Sequence, residues 1–388
     1  MHDSEPTAVI LAAGEGQRLR PLTNRRPKPM LPVAGKPILE YVIEAVAEAG
    51  ISDIVLVVGY RQERIRTHFG DGTHWGLDIG YVEQRRQLGT GHALLQATEK
   101  IADPFLMLNG DRIVDASLID MVNQALTGET QTPVISMTAV ETPREYGVIQ
   151  LDDADRATGI EEKPERRIDT SLINAGVYGF QPAIFEAIRD TSTSGELELT
   201  ATLSEMALES PLETIEYTGE WLDVSHLWDL VEANASLVDE RAHDDFDTTT
   251  HIAADVCIDP GVQCGPGAVI EGGTSVGANV SIGSNVTIAN SVILPDAVIQ
   301  SGSVIEDSVI GSNVSIGANT TIEGGETTVT VGESLHSEIE LGAVIGDNAE
   351  IGAGVTLESG TVVGTTAVID AGVGTGGRIG DDAYIRRA

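Results

Sequence analysis

The chain has 388 residues and carries 23 Lys+Arg against 60 Asp+Glu, a formal net charge of −37 at pH 7. That length exceeds one ordinary core and argues for two domains, while 41% hydrophobic residues and a mean hydropathy near zero indicate folded protein rather than an acidic disordered tail. A surface this negative repels phosphate backbones, which disfavours nucleic acid as a partner; no apolar run reaches bilayer length and the opening Met1-His2-Asp3-Ser4-Glu5-Pro6 lacks signal-peptide order, so the chain reads as cytoplasmic with no membrane partner.

Cys257 and Cys264 are the only cysteines, too few for a disulfide framework or a four-cysteine metal site, and they read as small hydrophobes. The only lysines are Lys28, Lys36, Lys100 and Lys163, and acidic residues are spread without long blocks. This composition resembles that of cytoplasmic proteins from salt-in halophiles, where salt screens self-repulsion.

In chain order, Thr7 to Leu11 is an apolar run of strand length that leads into Ala12-Ala13-Gly14-Glu15-Gly16-Gln17-Arg18-Leu19. Glycines after a buried strand let backbone N–H groups approach a phosphate. A dinucleotide fingerprint needs a third glycine where Leu19 stands, and no Gly-Lys-Ser/Thr follows for a P-loop. Between Glu15 and Glu40 there is no acid, yet Arg18, Arg20, Arg25, Arg26, Lys28 and Lys36 fall there. The alternative is a solvated basic loop paired with acidic neighbours.

Further strand-length runs follow at Ile54 to Val58 and Pro104 to Leu108, with helical spacing over Ile38 to Ala49, Gly91 to Ile101 and Leu118 to Leu126. This alternation predicts an α/β domain with a mostly parallel sheet and ligands at the carboxyl ends of its strands. Asp111, in Asn109-Gly110-Asp111, is placed at such an end. One or two carboxylates with substrate phosphates suffice for Mg²⁺, although a lone Asp after a strand is also a common turn or cap residue.

From about residue 252 the period becomes six. Ile258, Cys264, Ile270, Val276, Ile282 and Ile288 form one run; Val292, Val298, Val304, Ile310, Ile316 and Ile322 a second; Ile345, Ile351, Leu357, Val363 and Ile369 a third. The repeats resemble the hexapeptide repeats of left-handed parallel β-helices, whose members are usually trimers. The predicted domains are 5–240 and 251–388.

The segment Leu11 to Leu19, followed by Pro27-Lys28-Pro29-Met30-Leu31-Pro32-Val33, resembles the signature of sugar-1-phosphate nucleotidylyltransferases. The resemblance implies a Rossmann-like nucleotidyltransferase domain over residues 5–240. The repeat domain behind it narrows the match to a branch similar to bacterial and archaeal bifunctional uridylyltransferase/acetyltransferases. The implied reaction is Mg²⁺-dependent transfer of a nucleotidyl group from UTP, or dTTP, to glucose 1-phosphate or N-acetylglucosamine 1-phosphate, with pyrophosphate leaving.

By that resemblance Leu11, Ala12, Ala13, Gly14 and Gly16 approach the nucleotide, Arg18 holds the β- and γ-phosphates, and Lys28 touches the α-phosphate and sugar phosphate. Asp111 and Asp223 hold the metal. Gln84, Gln87, Gly89 and Thr90 form the base-recognition loop, where the Gly-Thr-Gly-His run favours UTP over dTTP and His92 caps or packs the next helix. Gly147, Glu162 or its neighbour Glu161, Lys163 and Asn174 meet the sugar; the alternative for Glu162 and Lys163 is a salt bridge across a hairpin.

In the bifunctional relatives the β-helix also acetylates a glucosamine phosphate from acetyl-CoA, using a His and an asparagine-containing loop. His336, in the coil break 331–338, is the one candidate base. The asparagine motif is absent after Ile351-Gly352-Ala353-Gly354, where Val355-Thr356-Leu357-Glu358 stands, and Arg378, Arg386 and Arg387 are the only cations near the C-terminus. The β-helix is therefore either an acetyltransferase or a structural, trimer-forming and regulatory domain. For the whole chain, a thymidylyltransferase or a non-catalytic regulator on the same fold is the further alternative.

Overall fold

The computed structural model describes residues 6–127, 132–164, 166, 168–192, 195–238, 246, 248–331 and 334–387. The opening residues read above for a signal peptide, and the predicted domain edges at 5, 240 and 388, lie outside these. The chain separates into two compact units, Met1–Glu15 with Ile38–Leu222, and Gly16–Pro37 with Asp223–Ala388.

The first unit is built on a nine-stranded sheet. Its strands are β1 (Thr7–Ala12), β2 (Asp53–Val58), β3 (Asp78–Glu83), β4 (Phe105–Asn109), β5 (Val134–Ala139), β6 (Gly147–Leu151), β7 (Ala157–Glu162), β8 (Leu172–Phe180) and β9 (Glu213–Glu216). The order is β7-β6-β8-β4-β1-β2-β3, with β5 on β8 and β9 on β5. From β4 through β1 and β2 to β3 the pairing is parallel; around β8 it is antiparallel.

The continuous apolar runs form the parallel half because both faces are covered. Val9, Val57, Phe105 and Met107 enter a core with Phe180, Phe185 and Leu203, and Phe105 stacks on Phe185 at 5.4 Å. The predicted helices occur as Ile38–Glu48 and Ala116–Leu126, whereas the helix expected over 91–101 is one short segment, Thr90–Leu95, followed by a 3-10 turn at Thr98–Lys100.

In the second unit three seven-stranded parallel sheets form the sides of a left-handed β-helix. Its interior is a column that includes Ile270, Ile282, Ile288, Ile310, Ile316, Ile322, Ile345, Ile351, Leu357 and Val363. Each fully buried aliphatic side chain contributes about 1.5–3 kcal/mol.

In the second hexapeptide run Ile310, Ile316 and Ile322 point inward as expected, whereas its first three positions, Val292, Val298 and Val304, are displaced by one residue. Ile293, Ile299 and Ile305 fill the coil, while Val298 is 43% exposed. The cause lies at the corners. Asn279, Asn285, Asn290, Asn313 and Asn319 take positive φ, a conformation in which Asn is tolerated, and the corner at Asn290 shortens one step. An antiparallel hairpin, β10 (Glu326–Val331) and β11 (Ser334–Glu340), leaves the coil where the sequence breaks.

Candidate active site

In the first unit a cavity of about 340 Å³ opens at the carboxyl ends of β1 and β4. It is lined by Leu11, Ala13, Gly14, Gln84, Gln87, Gly89, Thr90, Asp111, Arg112, Glu196 and Glu198, among others. Gly14 has open space where a Cβ would stand, so backbone there is accessible to a ligand. Ala12 is buried behind it.

The loop after β3 is held by backbone. Gly91 N and His92 N donate to Leu197 O at 2.8 and 3.3 Å, and Leu197 N donates to Leu88 O at 2.7 Å. Gly89 has φ +98°, and a Cβ there would lie 2.5 Å from Leu197 O; only glycine satisfies both conditions. Gln84 is 5% exposed, and its Nε2 donates to Gly89 O at 3.2 Å and lies 3.0 Å from His92 Nδ1. Gln87 Nε2 donates to Ala13 O at 2.9 Å, tying this loop to the glycine turn. The side-chain amide oxygens remain available as acceptors.

A smaller cavity of about 100 Å³ is lined by Thr90, Asn109, Arg112, Glu162, Asn174, Tyr178, Glu198 and Thr200, among others. Burial raises the Glu162 carboxyl above its ordinary 4.5, with Glu198 adding to the rise and Lys163 and Arg112 opposing it. Gly147 makes room for that carboxylate: a Cβ at 147 would sit 3.0 Å from Glu162 Oε2.

Asn174 Oδ1 accepts from Gly176 N at 3.0 Å and its Nδ2 bonds Tyr178, whose hydroxyl burial pushes up to about 12. Glu161 is half-buried and paired with Arg166 at 2.5 Å. Lys163 lines neither cavity.

Arg112, Glu196 and Glu198 are lining residues that the sequence reading did not single out. Arg112 Nη1 donates to Asn174 O at 2.7 Å, and its guanidinium lies 5.2 Å from the Trp221 ring. Glu198 Oε2 accepts from Thr90 Oγ1 at 2.8 Å. Arg112 follows Asp111 directly, the one signal that pointed to it; the two glutamates carry no motif.

In the second unit the segment 16–37 folds against the β-helix. Gly16 has φ +65°, and a Cβ there would lie 2.7 Å from Lys28 Cβ, so its glycine identity sets how closely the 3-10 turn Lys28–Met30 approaches. Lys28 Nζ lies 3.4 Å from Asp223 Oδ1, and Asp223 Oδ2 accepts from Ser225 Oγ at 2.6 Å. Arg26 is buried and bonded to Asp347 and Ser312, which makes this member of the basic window a structural cation. Arg18 is exposed and, among the described residues, has no carboxylate partner.

His336 sits on β11. Its ring centroid lies 4.9 Å from that of His226 and 5.0 Å from that of Trp228, and His226 stacks on Trp228 at 4.5 Å. It is part of an aromatic cluster and lines neither cavity above. No helix of the described residues is long and apolar enough to cross a membrane.

Comparison with known proteins gives two family matches: a nucleotidyl transferase model over residues 7–240 and a GMPPB C-terminal domain model over residues 252–337. A bifunctional protein GlmU of Methanococcus maripaludis is 37% identical over 267 residues, covering 67% of this chain and 62% of that protein. A glucose-1-phosphate thymidylyltransferase of Streptomyces antibioticus is 38% identical over 237 residues, covering 60% of this chain and 66% of that protein. The chain spans less than two thirds of the length of these curated relatives. A solved structure of UDP-glucose pyrophosphorylase complexed with UDP-glucose matches with a TM-score of 0.55 at 23% identity, over 60% of this chain and 98% of that one; the likeness is one of fold.

Proposed function

This chain belongs to the nucleotidyl transferase family, and on that footing we propose that it transfers a uridylyl group from UTP to a sugar 1-phosphate, releasing pyrophosphate. The observation that carries the reading is the 340 Å³ cavity, in which the open glycine turn, the Gln84 to Thr90 loop and the Asp111 carboxylate share one lining. Glycine backbone suits phosphate, amide side chains suit a pyrimidine edge, and a carboxylate suits a hard cation.

Both reactants are polyanions, so catalysis consists of positioning and charge neutralisation. An oxygen of the sugar 1-phosphate attacks the α-phosphorus in line, the bond to the β-phosphate breaks, and pyrophosphate carries away the charge. Lys28, oriented by Asp223, meets the α-phosphate and the sugar phosphate; Arg18 meets the β- and γ-phosphates. Glu162 and Asn174 accept and donate hydrogen bonds at the sugar, with Gly147 leaving them room, and Lys163 attracts the sugar-phosphate anion.

Asp111 and Asp223 supply the hard oxygen donors that fit Mg²⁺, which when bound neutralises triphosphate charge. We assign catalysis to residues 5–240 and assembly, as a homotrimer, to the β-helix 251–388. The aromatic packing of His336 favours this structural role over acetyl transfer from acetyl-CoA.

The test is a matrix of UTP and dTTP against glucose 1-phosphate and N-acetylglucosamine 1-phosphate. Higher kcat/KM with UTP supports the uridylyl reading; higher kcat/KM with dTTP replaces it with the thymidylyl one.

A further inference from the structure

The cavities of about 340 and 100 Å³ both belong to the first unit and share a wall made of Thr90, Asn109, Arg112 and Glu198. Their linings carry the carboxylates of Asp111, Glu162, Glu196 and Glu198; among the described residues Arg112 is the one cation that lines either. A cation that served only to offset those carboxylates could stand anywhere along the lining. This one stands where the two cavities meet.

Its guanidinium is fixed in place by the protein itself. Nη1 donates to Asn174 O at 2.7 Å, and the group lies 5.2 Å from the Trp221 ring and 5.6 Å from the Tyr146 ring. Gly176 leaves room for the stem, since a Cβ at 176 would lie 3.0 Å from Arg112 Cδ. A carbonyl and two aromatic faces orient a guanidinium without neutralising it.

The chemistry on either side says what falls between. Open backbone at Gly14 and the amides of Gln84 and Gln87 in the larger cavity suit a nucleotide, whereas the carboxylate, amide and hydroxyl of Glu162, Asn174 and Thr200 in the smaller one suit the hydroxyls of a sugar. The group that links such a sugar to the reacting nucleotide is its 1-phosphate, which therefore lies at the shared wall. A planar guanidinium can meet two phosphate oxygens at once.

We propose, on the nucleotidyl transfer reading, that Arg112 binds the phosphate of the sugar 1-phosphate and holds its attacking oxygen toward the nucleotide cavity. Lys163, which lines neither cavity, does not occupy this place.

The experiment measures binding of glucose 1-phosphate, N-acetylglucosamine 1-phosphate and inorganic phosphate by calorimetry, and steady-state pyrophosphate release, for wild type, Arg112→Gln, Arg112→Lys and Arg156→Ala. Arg156 serves as the charge control, being paired with Asp152 at 2.8 Å and lining neither cavity. Loss of one charge-assisted contact predicts a Kd and KM for the sugar 1-phosphate about tenfold higher in Arg112→Gln, with competitive inhibition by inorganic phosphate weakened by about the same factor. Arg112→Lys recovers part of each, Arg156→Ala changes none, and KM for UTP stays near wild type.

Inorganic phosphate has no sugar ring for Asn174 to hold. An unchanged phosphate inhibition constant beside a raised sugar 1-phosphate KM would reduce Arg112 to a support for Asn174 and overturn the proposal. Unchanged sugar 1-phosphate KM also overturns it, as does an equal loss in Arg156→Ala or a rise confined to KM for UTP. A wild type that releases no pyrophosphate yet binds the sugar 1-phosphates about tenfold more tightly than Arg112→Gln overturns the transfer reading and leaves the phosphate contact standing. A wild type that neither turns over nor binds them overturns both.

Discussion

Arg26 Nη2 lies 2.8 Å from Asp347 Oδ2 and 2.9 Å from Oδ1, with the two side chains only 9% and 5% exposed. The pair fastens the basic segment 16–37 to the β-helix. Asp347 Oδ1 also accepts from Ser312 N at 2.9 Å, while Arg26 Nε is buried without an acceptor, so the carboxylate carries most of the cation's compensation. Removing one partner strands a buried charge. Asp347→Ala or Arg26→Ala should therefore lower stability by about 3–5 kcal/mol, and the double replacement Arg26→Met with Asp347→Leu should cost less than either single change. Denaturant unfolding of the three variants checks this; singles within the error of wild type would refute it.

Lys28 performs a different task. Its 3.4 Å contact with Asp223 is long, and the two side chains are 11% and 3% exposed, so the pair is largely buried. Lys28→Ala should lower kcat by about a hundredfold or more, the scale of losing one preorganised charge, and should also lower the thermal midpoint, because it leaves the buried Asp223 carboxylate without this cation. Circular dichroism melting alongside pyrophosphate release reads both.

Gly89→Ala puts a methyl 2.5 Å from a carbonyl oxygen at φ +98°. The loop carrying Gln84 and Gln87 must shift, so KM for the nucleotide should rise by about tenfold or more while KM for the sugar phosphate stays near wild type. Steady-state kinetics in both substrates separates the two.

Glu162 gives a pH signature. Burial raises its pKa above 4.5, so the carboxylate takes up a proton at a higher pH than an exposed glutamate does. Its hydrogen-bond acceptance from sugar hydroxyls is present above the raised value and is lost as pH falls through it. KM for the sugar phosphate should climb on acidification before exposed carboxylates titrate, and Glu162→Gln should flatten that limb while raising KM at neutral pH. For folding the sign is opposite: a carboxyl raised by burial favours the folded state at low pH, and this contribution fades as pH rises through the folded pKa.

The legible parts of this chain are those where a single periodicity decides. The helix Ile38–Glu48 follows from three- and four-residue apolar spacing, and the strand Asp53–Val58 from a continuous apolar run covered on both faces. Spacing alone does not set the coil register. Val292-Ile293, Val298-Ile299 and Val304-Ile305 are tandem aliphatics, so hydrophobicity does not choose the inward residue; the positive-φ corner at Asn290 does. Likewise Glu196 and Glu198 reach the cavity through backbone pairing of Leu197 with Leu88 and Gly91, a long-range contact without a local pattern. The position of His336 against Trp228 comes from the hairpin fold and has no local sequence pattern.

The proposed reaction makes a nucleotide sugar. The most direct measurement is pyrophosphate release on mixing the purified protein with UTP, Mg²⁺ and glucose 1-phosphate or N-acetylglucosamine 1-phosphate, at high salt, with the sugar nucleotide quantified in parallel. Pyrophosphate and UDP-sugar should form in equal amounts, and Lys28→Ala should abolish both. Absence of both products with every sugar phosphate and with dTTP in place of UTP would contradict it and leave the regulator reading in its place.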